Sequence, residues 1–580
     1  MSRRQQPARG AFRDREIGGV RKKWKDKLPV ALIFPNRYGL GMSNLGFQLV
    51  YGLLNGDPDI VCERVFVAES ATEQPLSVES NRPLSDFPLI FCSFSFEEDY
   101  VNLPAMLAAG GIAPLAEERG AAERGVVPGR PLVIGGGVAT FINPEPLAPF
   151  IDLFVLGEAE AVLPQVLARL KSGVAGGEAR RELLYCLAAE LPGCYVPGFY
   201  TPSYDGQGNF SSFQVGQGLP ARIGKVVLEE RATAGHSLVL SPDAEFADLF
   251  LTELGRGCSR GCRFCAAGFV YRPPRLWSAE AIVKALAERP EAARRIGLLG
   301  MEMARAEDLA VLAEYLLDAS CSLSFSSLRA DVIGPRLLEL LGKSGLKSAA
   351  IAPDGGSERL RRVINKGITE PELLWAAGAL TEAGVTNLKL YFMIGLPTET
   401  EADLDEMVDL TLRIRERVLA VGRARKRMGT ITLSINCFVP KPWTPFQFHP
   451  FVGVGELKKR LQYLRKKLAG QANIRIAADQ PGRAFFQATL ARGDRRLGRA
   501  LLALGPGGGN WHQALRRQGL RAEDYAMRER REAEPFPWEI VDHGIDRHYL
   551  WREYQKAMEA RLTTPCDTVR CRRCGVCHGN

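Results

Sequence analysis

Strands, glycine-bearing turns and helices alternate in two separate stretches of the 580 residues, and this rhythm predicts an α/β protein built of two unlike units. The first, residues 25–175, is expected to be a Rossmann-like doubly wound domain; the second, 247–475, a partial (βα)6 barrel, with a small C-terminal region after it. Three observations carry this expectation. Apolar runs of strand length end in glycine turns, a helical period follows each, and a stretch rich in Gly, Ser and polar residues (195–220) separates the two series. A chain of this length also exceeds what one hydrophobic core usually organises.

Leu28–Phe34 (LPVALIF) reads as a buried strand, with Pro29 tolerable only at its start. After the turn RYGLGMSN, Leu45–Leu54 predicts a helix that Ser43 or Asn44 caps. Leu89–Ser95, Leu132–Ile134 and Ile151–Val155 predict further strands, Val101–Ala109 a helix, and residues following Gly157 another that reaches Leu170. In the second series the expected strands are Phe250–Leu254, Ile296–Leu299, Leu323–Ser326, Lys347–Ile351, Asn387–Met393 and Thr430–Phe438. Helices fit between and after them at 278–288, 306–318, 335–343, 370–383, 400–420 and 454–469. Chemistry in such a barrel is expected at the C-terminal strand ends. The full division is a basic leader (1–24), the doubly wound domain (25–175), a linker with short strands (176–246), the barrel (247–475), a helical region (476–560) and a four-cysteine tail (561–580).

Composition is that of an ordinary globular protein, 46% hydrophobic and 24% charged. No run of 18 apolar residues predicts a membrane-spanning helix, and the basic amino terminus lacks the apolar segment of a signal peptide, so a cytoplasmic location is expected. A net charge of +9 permits RNA or another anionic partner without requiring one. The basic runs Arg423–Arg427 and Lys458–Lys467 read first as solvated faces, because no zinc-finger spacing, RNA-recognition signature or helix-turn-helix accompanies them.

Cysteine placement is more telling. Of 13 cysteines, three fall within 258–265 and four within 566–577, gaps that suit metal or iron–sulfur ligation better than a disulfide framework. The isolated Cys62, Cys92, Cys186, Cys194, Cys321 and Cys437 are expected to pack as small apolar side chains. In the segment Leu254–Gly255–Arg256–Gly257–Cys258–Ser259–Arg260–Gly261–Cys262–Arg263–Phe264–Cys265, three thiolates can hold three irons of a 4Fe–4S cube and leave the fourth open to chelate a small molecule. Structural zinc would need a fourth ligand, and no other Cys or His lies nearby. The tail cysteines Cys566, Cys571, Cys574 and Cys577 suit either tetrahedral zinc or a fully ligated second 4Fe–4S cluster; their gaps do not separate the two, and a redox-active thiol set is a third reading. His578 beside them is surplus.

The first of these segments resembles the CxxxCxxC loop of the radical S-adenosylmethionine superfamily, including the aromatic Phe264 before its last cysteine. That resemblance implies a 4Fe–4S cluster on Cys258, Cys262 and Cys265 with S-adenosylmethionine on its open iron. By the same resemblance Gly300 and Glu302, in Gly300–Met301–Glu302, would bind the amino group. Ser327 and Arg329 resemble the positions that grip the ribose diol and the carboxylate, Ser327 having a plain helix cap as its other reading. Gly395 and Pro397, in Phe392–Thr400, match the fifth-strand element whose backbone lies against adenine. Pro353–Leu360 resembles the Pro-Glu-x-Gly-Ser-Glu segment of radical enzymes with an amino-terminal cobalamin-type domain, Asp354 standing where glutamate is usual.

The end of the first domain, VIGGGVATFINPEPL…DLFVLGEAEAV, resembles the closing half of such cobalamin domains. Gly135, Gly136 and Gly137 would then admit the corrin or its nucleotide tail, with Gly157 and Glu158 beside them. The first histidine of the chain is His236, so cobalamin would bind without a lower imidazole ligand; a domain kept as scaffold without cofactor is the other reading. Further matches to an uncharacterised bacterial family of cobalamin-domain radical enzymes are Ile17–Gly19, Phe438–Pro442, Thr444–Gln447, Ala491–Arg496 and Cys574–Cys577. The implied activity is radical methyl transfer to carbon on an unidentified substrate, RNA or peptide among the candidates, with electrons from a flavodoxin or ferredoxin. Sulfur insertion or methylthio transfer through an auxiliary tail cluster is the runner-up, and a non-catalytic iron–sulfur adaptor or sensor the alternative of another class.

Overall fold

The computed structural model describes residues 10–68, 73–120, 125–229, 232–302, 306–318, 321–505 and 509–577. The first unit is a six-stranded sheet of β1 (Leu28–Phe34), β2 (Ile60–Phe66), β3 (Leu89–Ser93), β4 (Leu132–Gly136), β5 (Leu153–Val155) and β6 (Cys194–Tyr195). The order is β2-β1-β3-β4-β5-β6, parallel throughout except for β6, which pairs antiparallel at the edge. The chain leaves β1 toward one side for β2, then crosses to β3 on the other. That reversal opens a crevice at the C-terminal strand ends, where ligands of doubly wound sheets sit.

Helices α1 (Leu45–Gly56), α2 (Asn102–Ala109), α3 (Ala159–Ala175) and α4 (Arg180–Glu190) cover this sheet. Asn44 caps α1, its side-chain oxygen accepting from the Phe47 N–H at 2.9 Å. Strand β2 is hidden in the sequence because Glu63 and Arg64 interrupt its apolar run. Both are buried and satisfied: Arg64 pairs with Glu16 at 2.7 Å and Glu79 at 2.6 Å, while Ser77 and Ser80 donate to Glu63 at 2.6 Å.

The second unit has seven parallel strands rather than the six expected: β7 (Leu249–Glu253), β8 (Arg295–Leu299), β9 (Ser322–Phe325), β10 (Ser348–Asp354), β11 (Asn387–Ile394), β12 (Thr430–Cys437) and β13 (Ile474–Ala478). They run in chain order as a three-stranded and a four-stranded sheet. One bridge, Leu328 with Ile351, closes the seam, the Leu328 N–H donating to the Ala350 carbonyl at 2.8 Å. A cavity of about 290 Å³ lies against this seam, lined by Phe325, Leu328, Ala349 and Lys389. The result is an open, partial barrel.

Its crossover helices lie where the 3.6-residue period puts them: α5 (Ala279–Ala287), α6 (Ala306–Asp318), α7 (Pro335–Lys343), α8 (Glu370–Glu382), α9 (Glu401–Ala424) and α10 (Val454–Lys467). Ser278 caps α5 and a Thr369–Glu372 capping box starts α8. Between the units lies an antiparallel hairpin, Tyr200–Tyr204 with Phe210–Val215. Short helices from Pro481 to Ala526 and the longer α11 (Arg547–Met558) complete the chain before the tail. Of the leader, residues 1–9 lie outside the described residues; Gly10–Arg15 is helical and Ile17 pairs with Leu240. Among the described residues no helix is long and apolar enough to cross a membrane.

Candidate active site

The cysteine loop leaves the C-terminal end of β7, and three elements far apart in sequence pin it. Gly255–Arg256 pairs antiparallel with Arg275–Leu276, which folds the loop back on itself. Arg263, with its side chain fully buried, donates to Glu553 of α11 at 3.1 Å, to the Val363 carbonyl at 2.9 Å and to the Arg561 carbonyl at 2.7 Å. Asn365 donates to the Arg260 and Gly261 carbonyls, each at 3.2 Å. Phe264 packs into an aromatic cluster with Phe269, Trp443 and Trp538. Such anchoring fixes the three thiols with little freedom to move, as a cluster site requires.

Cys258, Cys262 and Cys265 are each part-exposed. Burial pushes the Cys258 thiol up to about 11 and the Cys265 thiol up to about 12, so their thiolates call for a cationic partner. Iron would supply that charge, and three soft sulfurs on a short loop suit three corners of a 4Fe–4S cube. Among the described residues no group of three or more His, Cys, Asp or Glu is placed to hold a metal ion, the three thiols of this loop included.

The other expected residues gather around this loop to different degrees. Glu302, at the end of β8, accepts from the Ser259 N–H at 2.9 Å and the Ser259 hydroxyl at 2.7 Å, so its carboxylate borders the loop directly. Gly300 lies at the same strand end, where a Cβ would come within 2.7 Å of the Glu302 carbonyl. Arg329 follows β9 and brings Nη1 to 3.9 Å from the Cys262 sulfur. The rest of its guanidinium is fixed by Asp331 at 3.0 Å and the Lys366 carbonyl at 2.8 Å. Lys366 in turn donates to Asp354 at 2.6 Å, so the shorter aspartate reaches a partner of its own. Ser327 is exposed beside them. Gly395 and Pro397 are buried past the end of β11, and the Gly395 and Leu396 N–H groups are taken by Glu399 at 3.0 and 3.4 Å.

A cavity of about 500 Å³ opens where the two sheets face each other. Gly135, Gly136, Gly137, Gly157 and Glu158 of the first unit line it together with Gly255, Arg256 and Gly300 of the second. Ser93 and Ser95 also reach it, while Leu32, Leu45, Ile134 and Phe141 make its wall largely apolar. The glycines have structural duties besides. Gly137 has φ +102° and a Cβ there would lie 2.4 Å from the Phe94 carbonyl; at Gly157 it would lie 2.7 Å from the Val226 carbonyl. Glu158 accepts from Arg275 at 2.6 Å and Arg256 at 2.9 Å, and Arg256 also pairs with Glu160 at 2.7 Å. Arg256 stands two residues before Cys258, so this network ties the first unit to the root of the cysteine loop. The cysteine motif alone does not single out Arg256; its place between two glycines ahead of the first cysteine is the signal the sequence holds for it.

The tail does not behave as expected. Zinc or a second 4Fe–4S cluster on Cys566, Cys571, Cys574 and Cys577 is overturned, because no metal-holding group of side chains forms among the described residues. The cysteines are drawn to other partners. Arg573 donates to the Cys571 sulfur at 3.2 Å and Cys566 hydrogen-bonds Cys571. Cys574 is buried in the aromatic cluster against Arg272, and Cys577 is half-buried. His578 lies outside the described residues. The tail instead docks on the cysteine loop, the Cys566 N–H donating to the Ser259 carbonyl at 2.7 Å. The isolated cysteines are buried as expected, apart from the half-buried Cys186.

Residues 46–197 match the family described as radical SAM proteins, N-terminal, and residues 252–411 match the radical SAM superfamily. Uncharacterized protein MJ0966 of Methanocaldococcus jannaschii is 28% identical over 479 residues, 81% of this chain and 90% of that protein. Among solved structures, the radical S-adenosylmethionine methyltransferase TsrM from Kitasatospora setae, with tryptophan and a SAM analogue bound, matches at TM-score 0.43 and 13% identity over 70% of this chain and 72% of that one. The cobalamin-dependent radical enzyme OxsB, with aqua-cobalamin and S-adenosylmethionine bound, matches at TM-score 0.44 and 18% identity over 66% of this chain and 52% of that one. Likenesses this loose fix neither a cofactor nor a substrate. The superfamily match spans the cysteine loop and the first strands of the barrel, and on that ground the chain is a radical S-adenosylmethionine enzyme.

Proposed function

We propose that Cys258, Cys262 and Cys265 ligate the 4Fe–4S cluster, that the cavity between the sheets takes a cobalamin without a histidine ligand, and that the enzyme methylates an unactivated carbon. When bound, the cluster supplies the electron that splits the sulfonium, and the cobalamin the methyl group. Arg329 holds the carboxylate of S-adenosylmethionine beside Cys262, where its guanidinium is already oriented by Asp331 and Lys366. Glu302 accepts the amino group by exchanging its bonds to Ser259, and Ser327 offers its exposed hydroxyl to the ribose. Since the Gly395 and Leu396 N–H groups are occupied, that turn meets adenine through packing and carbonyl oxygens. The apolar wall keeps water from a reactive radical.

One observation carries the cobalamin reading: the cavity at the switch point of the first sheet is the one onto which the cysteine strand and Gly300 open. No histidine lines it, and Gly136 leaves backbone open toward a planar ligand, with nothing nearer its missing Cβ than 3.5 Å. The sulfur-inserting alternative loses its support with the tail cluster. The test is anaerobic purification after expression with cobalamin, with assay of iron, sulfide and cobalt, then incubation with reductant and S-adenosylmethionine. Stoichiometric cobalt, about four irons per chain and formation of 5′-deoxyadenosine or S-adenosylhomocysteine are expected. Iron without cobalt would sink the cobalamin assignment, and absence of both products would sink the cluster assignment to these cysteines.

A further inference from the structure

A further, smaller cavity of about 170 Å³ lies between the C-terminal region and the hairpin turn at Gln207–Phe210, and none of its lining residues borders the cavity between the sheets. Its floor is Arg492, Arg530 and Tyr525, all more than nine-tenths buried, with the part-buried Arg528 beside them. Arg492 belongs to the Ala491–Arg496 segment, which the radical chemistry does not use. With 0% exposure it bonds only carbonyl oxygens, those of His449 at 2.9 Å and of Ala526 and Arg528 at 2.8 Å. Arg528 pairs with Glu534 at 2.8 Å, and Arg530 shares that carboxylate at 3.9 Å. Among the described residues the Nε atoms of Arg492, Arg528 and Arg530 and the hydroxyl of Tyr525 have no hydrogen-bond partner.

The charge is unbalanced. Five arginines border this cavity against three carboxylates, Asp494, Asp524 and Glu534. Asp494 is spent on Arg496 at 2.6 Å, and Asp524 lies 4.0 Å from Arg521 on the exposed rim. Burial and the neighbouring Arg530 and Arg528 depress the Arg492 guanidinium, and burial with Arg528 draws Arg530 down to about 10. A buried guanidinium without a counter-charge is expensive, and a cluster of them sharing one carboxylate fits an anion that accepts several hydrogen bonds at once. We propose that this cavity is a binding site for a phosphate group, a tetrahedral dianion or diester held by Arg492, Arg528, Arg530 and Tyr525.

The source is either a free phosphate-bearing molecule or the backbone of a polynucleotide. Arg496 and Leu520 border both this cavity and a groove of about 1650 Å³ that carries Arg181, Arg499, Tyr185 and Phe199, so a phosphodiester chain has a path to it. The test uses the full chain and inorganic phosphate as the probe, by calorimetric titration and by melting against chloride at matched ionic strength. Phosphate is expected to bind and to raise the melting temperature with concentration. R528Q should weaken phosphate binding about tenfold, and the shape-preserving Y525F several-fold, with far-UV circular dichroism unchanged. Displacement of phosphate by a short oligoribonucleotide would support the site with a polynucleotide as its source; phosphate binding that the oligonucleotide leaves intact would support it with a free phosphate ester. Stabilisation no greater than that by chloride, or phosphate affinity equal to wild type in both variants, would overturn the assignment.

Discussion

Arg329 is held by Asp331 and the Lys366 carbonyl, and only Nη1 faces the cysteine loop, at 3.9 Å from Cys262. A lysine keeps the charge but loses the planar fork. R329K should therefore raise the KM for S-adenosylmethionine about tenfold or more while the iron content stays at wild-type level. Steady-state formation of 5′-deoxyadenosine, with iron assayed on the same samples, measures both; a fall in iron alone would move Arg329 from cofactor binding to loop folding. The cysteine loop stands out in the sequence because three cysteines within eight residues are a local pattern. Glu158 was read for its neighbours in sequence, whereas its partners Arg256 and Arg275 lie about a hundred residues on, and only folding brings them within 2.6–2.9 Å.

At the scale of elements, α11 is the buttress of the cysteine loop through the fully buried pair of Arg263 and Glu553. Removing one member strands the other in a low-dielectric interior. E553Q is expected to cost about 3–5 kcal/mol, measured by denaturant unfolding, and to lower the iron retained after anaerobic purification. Equal stability and iron content would mean that α11 does not support the loop. The barrel helices were legible because each shows its apolar stripe and several show their caps. Strand β13 was not: Ile474–Ala478 is half-exposed, with Arg475 at its second position, and its apolar residues are too few to stand out. Strand β2 failed for the opposite reason, being wholly buried yet carrying Glu63 and Arg64 whose partners come from elsewhere in the chain.

The molecule as a whole is joined near its functional cavity by charge as well as by apolar packing. Lys441, after β12, donates to the buried Glu97, after β3, at 2.5 Å, and Gln487 adds a bond at 3.1 Å. Burial raises the Glu97 carboxyl, but Lys441, with a backbone N–H and Gln487, outweighs it and leaves the group below the ordinary glutamate range. A lowered value in the folded state contributes stability above the unfolded pKa and loses it as the pH falls through the folded one. The union of the two units should thus loosen in acid, seen as faster amide exchange in β3 and β12 below about pH 4. E97Q should show that faster exchange already at pH 7; an unchanged pattern would remove this pair from the junction.

The seam between β9 and β10 has one further consequence. Ser327 and Arg329 sit on either side of Leu328, whose single bridge joins the two sheets of the open barrel, and Arg329 reaches across to Lys366. A molecule seized there by both side chains acts as a clasp on the weakest line of the sheet. Binding S-adenosylmethionine should then slow exchange at the Leu328 and Ala350 amides more than at any strand centre, so that the barrel becomes one mechanical body only when it holds what it is about to break.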